Sequence, residues 1–291
     1  MKKEVKLVNK VKRLLRRLGA PRWLHHYGPK KYELYQHLAA LLVRWFCDLS
    51  YRETVKLLDM LGIICPSKSA LQNTMSKLPK WILDKALEIT SGIKHYIIAL
   101  DSTGFSRTNP SYYYLRRIDG KLPKKHIKLS AAFDTRKKKF CAAKIRVLPA
   151  HDIRDAKYLL DKLQANKIVA DKAYDANWLH EYCFERDIEA HIPVRDNSKV
   201  RHGNMSKRML SIKHFNKRTY NRRSIEESGF SSVKRKYGSS VNSKKAGTIR
   251  ANVYGKLICY NLFYGFIDFQ DRALNNQTFI NKFFFLLFFH I

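Results

Sequence analysis

YIIALDSTGF, residues Tyr96 to Phe105, places five apolar residues in a row directly before an aspartate and a turn-forming DSTG. A short continuous apolar run of this kind reads as a strand covered on both faces, not as a helix or a half-exposed hairpin strand. It begins just after Ser91-Gly92, where helical periodicity gives way to short β-type runs. Leu129 to Phe133 (LSAAF), Phe140 to Val147 (FCAAKIRV), Lys167 to Ala170 (KIVA) and Ala190 to Val194 (AHIPV) supply four more predicted strands. Ile153 to Gln164 and Asn177 to Arg186 carry helical periodicity, and a last helix follows after Tyr220. The order is three strands, helix, strand, helix, strand, helix. That alternation predicts an α/β core, a mixed sheet with helices on both faces.

Two acids fall where predicted strands end. Asp101 follows YIIAL and is expected to open the turn DSTGF, and Asp171 follows KIVA and opens DKAYD. Ligands of open α/β sheets bind in the crevice at the carboxyl ends of the strands, so both acids sit where a site belongs. Either one alone is also an ordinary turn residue.

Further along, Tyr220 to Lys234 reads YNRRSIEESGFSSVK, with Tyr220, Arg223, Glu227 and Lys234 three, four and seven residues apart. These steps bring all four side chains to one helix face. The surroundings are strongly basic. Between Asn197 and Ile225 there are nine Lys or Arg and no acid, and between Ser228 and Ile267 there is again no acid. A carboxylate in such a field makes sense if it stays ionised to hold a cation while the bases hold a polyanion. Asp101, Asp171 and Glu227 together form an all-oxygen set suited to Mg²⁺ or Mn²⁺, and two such ions about 4 Å apart serve phosphodiester chemistry.

Across the whole chain, Lys and Arg outnumber Asp and Glu by 57 to 24, a net charge of +33 over 291 residues. A polyanionic partner follows, nucleic acid first, with a generally adhesive basic protein as the bland alternative. Cys47, Cys65, Cys141, Cys183 and Cys259 lack metal-ligand spacing and read as reduced thiols of a cytosolic protein. The longest apolar run, Phe283 to Phe289, is seven residues, too short to span a bilayer.

The N-terminal part reads as helical throughout. Residues 1 to 31 carry eleven Lys or Arg against the single Glu4 and form either a solvated amphipathic helix or a basic arm along a phosphate backbone. A core helix is expected from Tyr32 to Leu49. Ser50 and Glu53 form a capping box for a helix that stops at Gly62, and Ser67 caps the next, which carries Leu71, Met75 and Leu78. The pair is helix-turn-helix-like, and its second helix would present Gln72 and Asn73 to base edges. Lys80 to Thr90 closes this part.

Asp101 in its strand-DST setting, Asp171 in ADKAYD and the Y-x2-R-x3-E-x6-K pattern on Tyr220, Arg223, Glu227 and Lys234 resemble the DDE transposases of bacterial and archaeal insertion sequences. The resemblance covers about residues 93 to 262. It implies a ribonuclease-H-like core in which Asp101, Asp171 and Glu227 are the metal-binding triad for two Mg²⁺ or Mn²⁺ ions. It further implies that insertion-sequence ends are cut and the freed 3′-hydroxyl is joined to target DNA. Tyr220, Arg223 and Lys234 would hold DNA near the cut, with Lys172 and Tyr174 as weaker candidates and the basic segment Lys199 to Arg218 as a further contact region. The implied partners are double-stranded DNA, as terminal repeats and as target, and a second copy in a homodimeric synaptic complex, in a cytoplasmic, nucleoid-associated prokaryotic setting without membrane.

The expected organisation is a helical DNA-binding region at 1–92, a catalytic domain at 93–270 and a hydrophobic tail at 271–291, which ends KFFFLLFFHI. Glu226, beside Glu227, could exchange roles with it through a register error; the step to Lys234 favours Glu227. His151-Asp152 reads as a surface turn, with a supporting pair next to the site as the other reading. Two functional alternatives stay open: an inactive or domesticated DNA-binding relic, and a metal-dependent nuclease of the same fold.

Overall fold

The computed structural model describes residues 13–24, 27, 30–108, 117, 126–148, 150–194 and 207–263. Most of the basic arm, residues 199–206 of the basic segment and the whole apolar tail lie outside the described residues. The chain divides into two compact units, one drawn from Met1–Thr90 with Lys236–Ile291 and the other from Ser91–Arg235.

In the first unit, α1 (Leu34–Cys47) begins with a capping box between Glu33 and Gln36 and ends at Asp48 in the left-handed conformation, φ 51°. Helix α2 (Tyr51–Met60) starts as its sequence predicts: Glu53 N–H donates to Ser50 Oγ at 3.2 Å and Ser50 N–H donates to Glu53 Oε2 at 2.8 Å. Gly62, φ 70°, follows its end. Helix α3 (Lys68–Lys77) is capped by Ser67 and buries Leu71 and Met75 completely while Gln72 and Asn73 are exposed. Helix α4 (Lys80–Ser91) completes the N-terminal set. The long helix α10 (Ala246–Phe263) is buried on nearly every residue and belongs to this same unit. At Gly255 it touches α1 so closely that a Cβ would fall 2.0 Å from the Trp45 ring. Buried Lys256 is compensated there by Gly238 O at 2.9 Å, Ser240 O at 3.0 Å and Asp48.

The second unit holds a mixed sheet. Its strands are β1 (Lys94–Arg107), β2 (His126–Asp134), β3 (Lys139–Arg146), β4 (Gln164–Ala170) and β5 (Glu189–His191), in the order β3-β2-β1-β4-β5. The first three are antiparallel neighbours; β4 is parallel to β1, and β5 to β4. Helices α5 (Ile153–Leu160) and α6 (Asn177–Glu185) precede and follow β4. Ile98 and Leu100 share a core with Ala156, Leu159, Leu160, Leu179 and Cys183 of these two helices. Ile97, Ala99 and Val169 point the other way. On that side α9 (Ser224–Tyr237) packs Phe230 5.4 Å from Phe140, which lies 4.8 Å from Phe133. Ile97 to Leu100 are apolar because both faces are covered there, while Tyr96 remains exposed, and each fully buried Ile or Leu contributes about 1.5–3 kcal/mol. The chain is therefore an α/β protein of ribonuclease-H-like strand arrangement with a helical N-terminal region.

One expectation fails in detail. Asp101 does not open a turn: β1 runs on to Arg107, and its ladder with β2 continues from Ile98↔Asp134 to Ser106↔His126. Asp101 is a strand residue opposite Ala131.

Candidate active site

The two aspartates meet because β1 and β4 have different lengths. The parallel pairing of β4 with β1 stops at Leu100↔Ala170, so the next residues, Asp101 and Asp171, emerge side by side where β4 leaves the sheet. Asp101 continues in β1, opposite Ala131 of β2. Asp171 turns away as the cap of a short 3₁₀ turn, its Oδ1 accepting from Ala173 N–H at 2.9 Å. A carboxylate at such a cap keeps its second oxygen available.

Helix α9 brings the third acid. Gly229 allows the approach, since a Cβ there would fall 2.9 Å from the Phe133 ring. With Phe230 and Val233 buried, the first turn of α9 carries two glutamates with opposite fates. Glu227 is half exposed, and its Oε1 accepts from Arg223 Nη2 at 2.7 Å. Arg223 Nη1 reaches Asp101 Oδ2 at 3.2 Å. One guanidinium therefore bridges a strand acid and a helix acid that are 126 positions apart in the chain, from 101 to 227. Burial works against the charge on Arg223, but Glu227, Asp101 and Tyr220 outweigh it and raise its pKa. Burial raises the Asp101 carboxyl above its ordinary range; Glu227 and Asp171 add to this, while the Ser102 N–H and Arg223 oppose it. Glu227 and Asp171 are thus each near enough to act on Asp101.

Glu226 is entirely buried, and neither of its oxygens has a hydrogen-bond partner. It lies close to the backbone N–H of Asp101 without the geometry of a hydrogen bond. Burial first, and Asp101 second, push its carboxyl well above the ordinary range. Fully buried Tyr174, whose hydroxyl is likewise unpaired, is another close electrostatic neighbour of Glu226. The weaker sequence candidate Tyr174 thus serves the core and is not placed to touch DNA, whereas Lys172 beside it is exposed.

The other signature residues surround this cluster. Tyr220 ends α8 (Lys217–Tyr220) and stands 5.6 Å from the Phe215 ring, centroid to centroid. Lys234 Nζ donates to Thr103 Oγ1 at 2.6 Å, two residues beyond Asp101 on β1. Burial lowers its pKa. Gln72 and Asn73 belong to the other unit and are solvent-facing.

Asp152 is more than the surface turn that its sequence suggests. Its Oδ1 accepts from Ser102 Oγ at 2.7 Å and pairs with Lys128, so it supports the residue next to Asp101. Two further buried acids brace the site from outside. Asp155 accepts from Arg146 through two nitrogens and from Ser130 Oγ at 2.8 Å. Asp175 accepts from Arg208 Nε at 2.8 Å, tying α7 (Lys207–Lys213) to the turn after β4. The only signal for Asp152 was its position directly after the third strand; Asp155 and Asp175 carried none, because their partners come from distant segments.

Among the described residues no group of three or more His, Cys, Asp or Glu is gathered closely enough to hold a metal ion. Arg223 stands between two of the carboxylates. The donor set nonetheless fits a hard divalent cation: it is all carboxylate oxygen, and a cation would offset the burial, and the smaller repulsion from Glu227 and Asp171, that raise the Asp101 pKa.

A family model described as the transposase DDE domain matches residues 92–262. Among solved structures, the piggyBac transposase synaptic complex with hairpin DNA aligns at a TM-score of 0.43 with 12% identity, over 98% of this chain and 77% of that one. No curated protein matches the chain. No helix among the described residues is long and apolar enough to cross a membrane.

Proposed function

The chain belongs to the DDE transposase family, and from that premise we propose that it cuts the ends of an insertion sequence and joins the freed 3′-hydroxyls to target DNA, with Asp101, Asp171 and Glu227 as the catalytic carboxylates. What supports the assignment is that Asp101 and Asp171 follow the last paired residues of β1 and β4, and that Arg223 links Asp101 to Glu227. Two Mg²⁺ or Mn²⁺ ions, when held by this triad, supply Lewis-acid activation of the attacking oxygen and stabilisation of the leaving oxygen.

The chain's own residues do the rest. Asp101 is fixed by its strand and by the Ser102 N–H at 2.8 Å, so its orientation does not depend on Arg223. Arg223 neutralises Asp101 and Glu227 in the free protein; its forked guanidinium suits a phosphodiester equally well, so DNA entry exchanges one anionic partner for another. Lys234 offers a point charge beside the same strand, and Tyr220 lies at the mouth of the helical turn that carries Arg223. Gln72 and Asn73 on α3 read base edges of the terminal repeats, and two copies pair the two ends.

The test is Mg²⁺-dependent cleavage and joining of labelled DNA carrying the element's own ends, with Glu227→Gln beside the wild type. Joined product in the wild type alone supports the reading. Cleavage without joining in the wild type would make the protein a nuclease, and binding without cleavage a relic.

A further inference from the structure

A second concentration of positive charge is lined by residues that alternate with the signature residues along the chain but do not include them. Thr135, Arg136 and Lys138 of the β2–β3 turn face Arg218, Asn221, Arg222, Ser224 and Ile225 across an open recess of about 530 Å³. Its four cations are exposed, and no acid lines it. Arg218 and Arg222 lie four apart on successive turns, Lys217–Tyr220 and Asn221–Arg223, where like charges repel.

The turn is built to hold its two cations in place. Buried Asp134 accepts the N–H groups of Arg136 at 2.8 Å and Lys137 at 2.7 Å and is anchored by His95 Nδ1 at 2.7 Å. Lys138 adopts φ 54°, a left-handed conformation that costs a side-chain-bearing residue about 1 kcal/mol. The Arg136 guanidinium lies 3.6 Å from the Tyr96 ring centroid. Cations held by this turn toward other cations repel one another, and an anion between them relieves that repulsion.

We propose that this recess is a phosphate-binding subsite for the backbone of bound DNA, formed by Arg136, Lys138, Arg218 and Arg222. It rests on DNA being the partner but not on catalysis. The test is the salt dependence of binding of the full chain to a short duplex. The variant carries Arg136→Gln, Arg218→Gln and Arg222→Gln, and the control carries Arg154→Gln, Lys157→Gln and Lys162→Gln, three exposed cations on or just after α5. Each phosphate contact adds about 0.9 to the slope of log affinity against log salt. The recess variant is expected to lose about that much or more and the control to lose none, with the slope restored when the same arginines are changed to lysine. Equal slopes in variant and control would overturn the proposal. So would saturable binding of inorganic phosphate, abolished in the recess variant, together with an unchanged DNA slope, because the recess would then serve a free anion. A wild type that binds with this slope but never cuts would refute the transposase reading and leave the subsite standing.

Discussion

Glu226→Gln separates the two neighbouring glutamates by physical chemistry. Glu226 is fully buried without a hydrogen-bond partner, and its carboxyl is held well above the ordinary range, so the folded protein keeps a proton there that the unfolded chain releases. The sign follows from linkage. Below the pH at which an unfolded glutamate ionises, both states are protonated and nothing is lost; as pH rises from there towards the folded pKa, stability falls by about 1.4 kcal/mol per pH unit. Glutamine stays neutral throughout. Its unpaired amide imposes an offset of about 1–3 kcal/mol that does not vary with pH. The unfolding free energy of Glu226→Gln minus that of the wild type should therefore climb by about 1.4 kcal/mol per pH unit from the ordinary glutamate pKa upward until the folded carboxyl itself ionises. Urea melts in chelated buffer at three pH values measure it, and any contribution from Asp101 cancels in the difference. Glu227→Gln, which removes only a half-exposed pair with Arg223, should shift stability by no more than about 0.5 kcal/mol at any of these pH values. In the cleavage assay the order reverses: Glu226→Gln retains Mg²⁺-dependent cutting and Glu227→Gln loses it. A pH-independent stability difference for Glu226→Gln, or cutting lost with Glu226 and kept without Glu227, would refute the reasoning.

Asp101→Asn and Asp171→Asn should each reduce cleavage to background while duplex affinity, dominated by the net charge of +33, changes less than threefold by gel shift, about 0.6 kcal/mol. Lys234→Ala should weaken binding to the element's ends and lower the salt slope by about 0.9; an unchanged slope would mean that its bond to Thr103 is purely structural. Gly255→Ala places a Cβ 2.0 Å from the Trp45 ring and should destabilise the protein by about 1–3 kcal/mol in thermal melts, an effect that Trp45→Leu should partly relieve.

Much of this was local and therefore legible in the amino-acid order. The Ser50–Glu53 box, the Ser67 cap and the halt at Gly62 are contacts within four residues, so their residue types alone specify them. YIIAL announced a strand covered on both faces, which holds from Ile97 to Leu100 though not at exposed Tyr96, and the four-residue step put Arg223, at the end of a 3₁₀ turn, in contact with Glu227 in the helix that follows. Other features depended on distant segments. Whether Asp101 ends a strand or sits within one is decided by β2, which pairs on to Ser106, and by β4, which stops at Ala170. Spacing favoured Glu227, but only the packing of α9 against Phe133 and Phe140 decides how the two glutamates differ: that face turns Glu226 into the core and Glu227 out of it. Asp152 acquired its place beside Ser102 in the same way, through a contact spanning 50 positions. Helix periodicity and capping are written in neighbouring residues, whereas strand ends, buried carboxyls and the meeting of Asp101 with Asp171 are set by which chains lie alongside, and only the assembled sheet determines that.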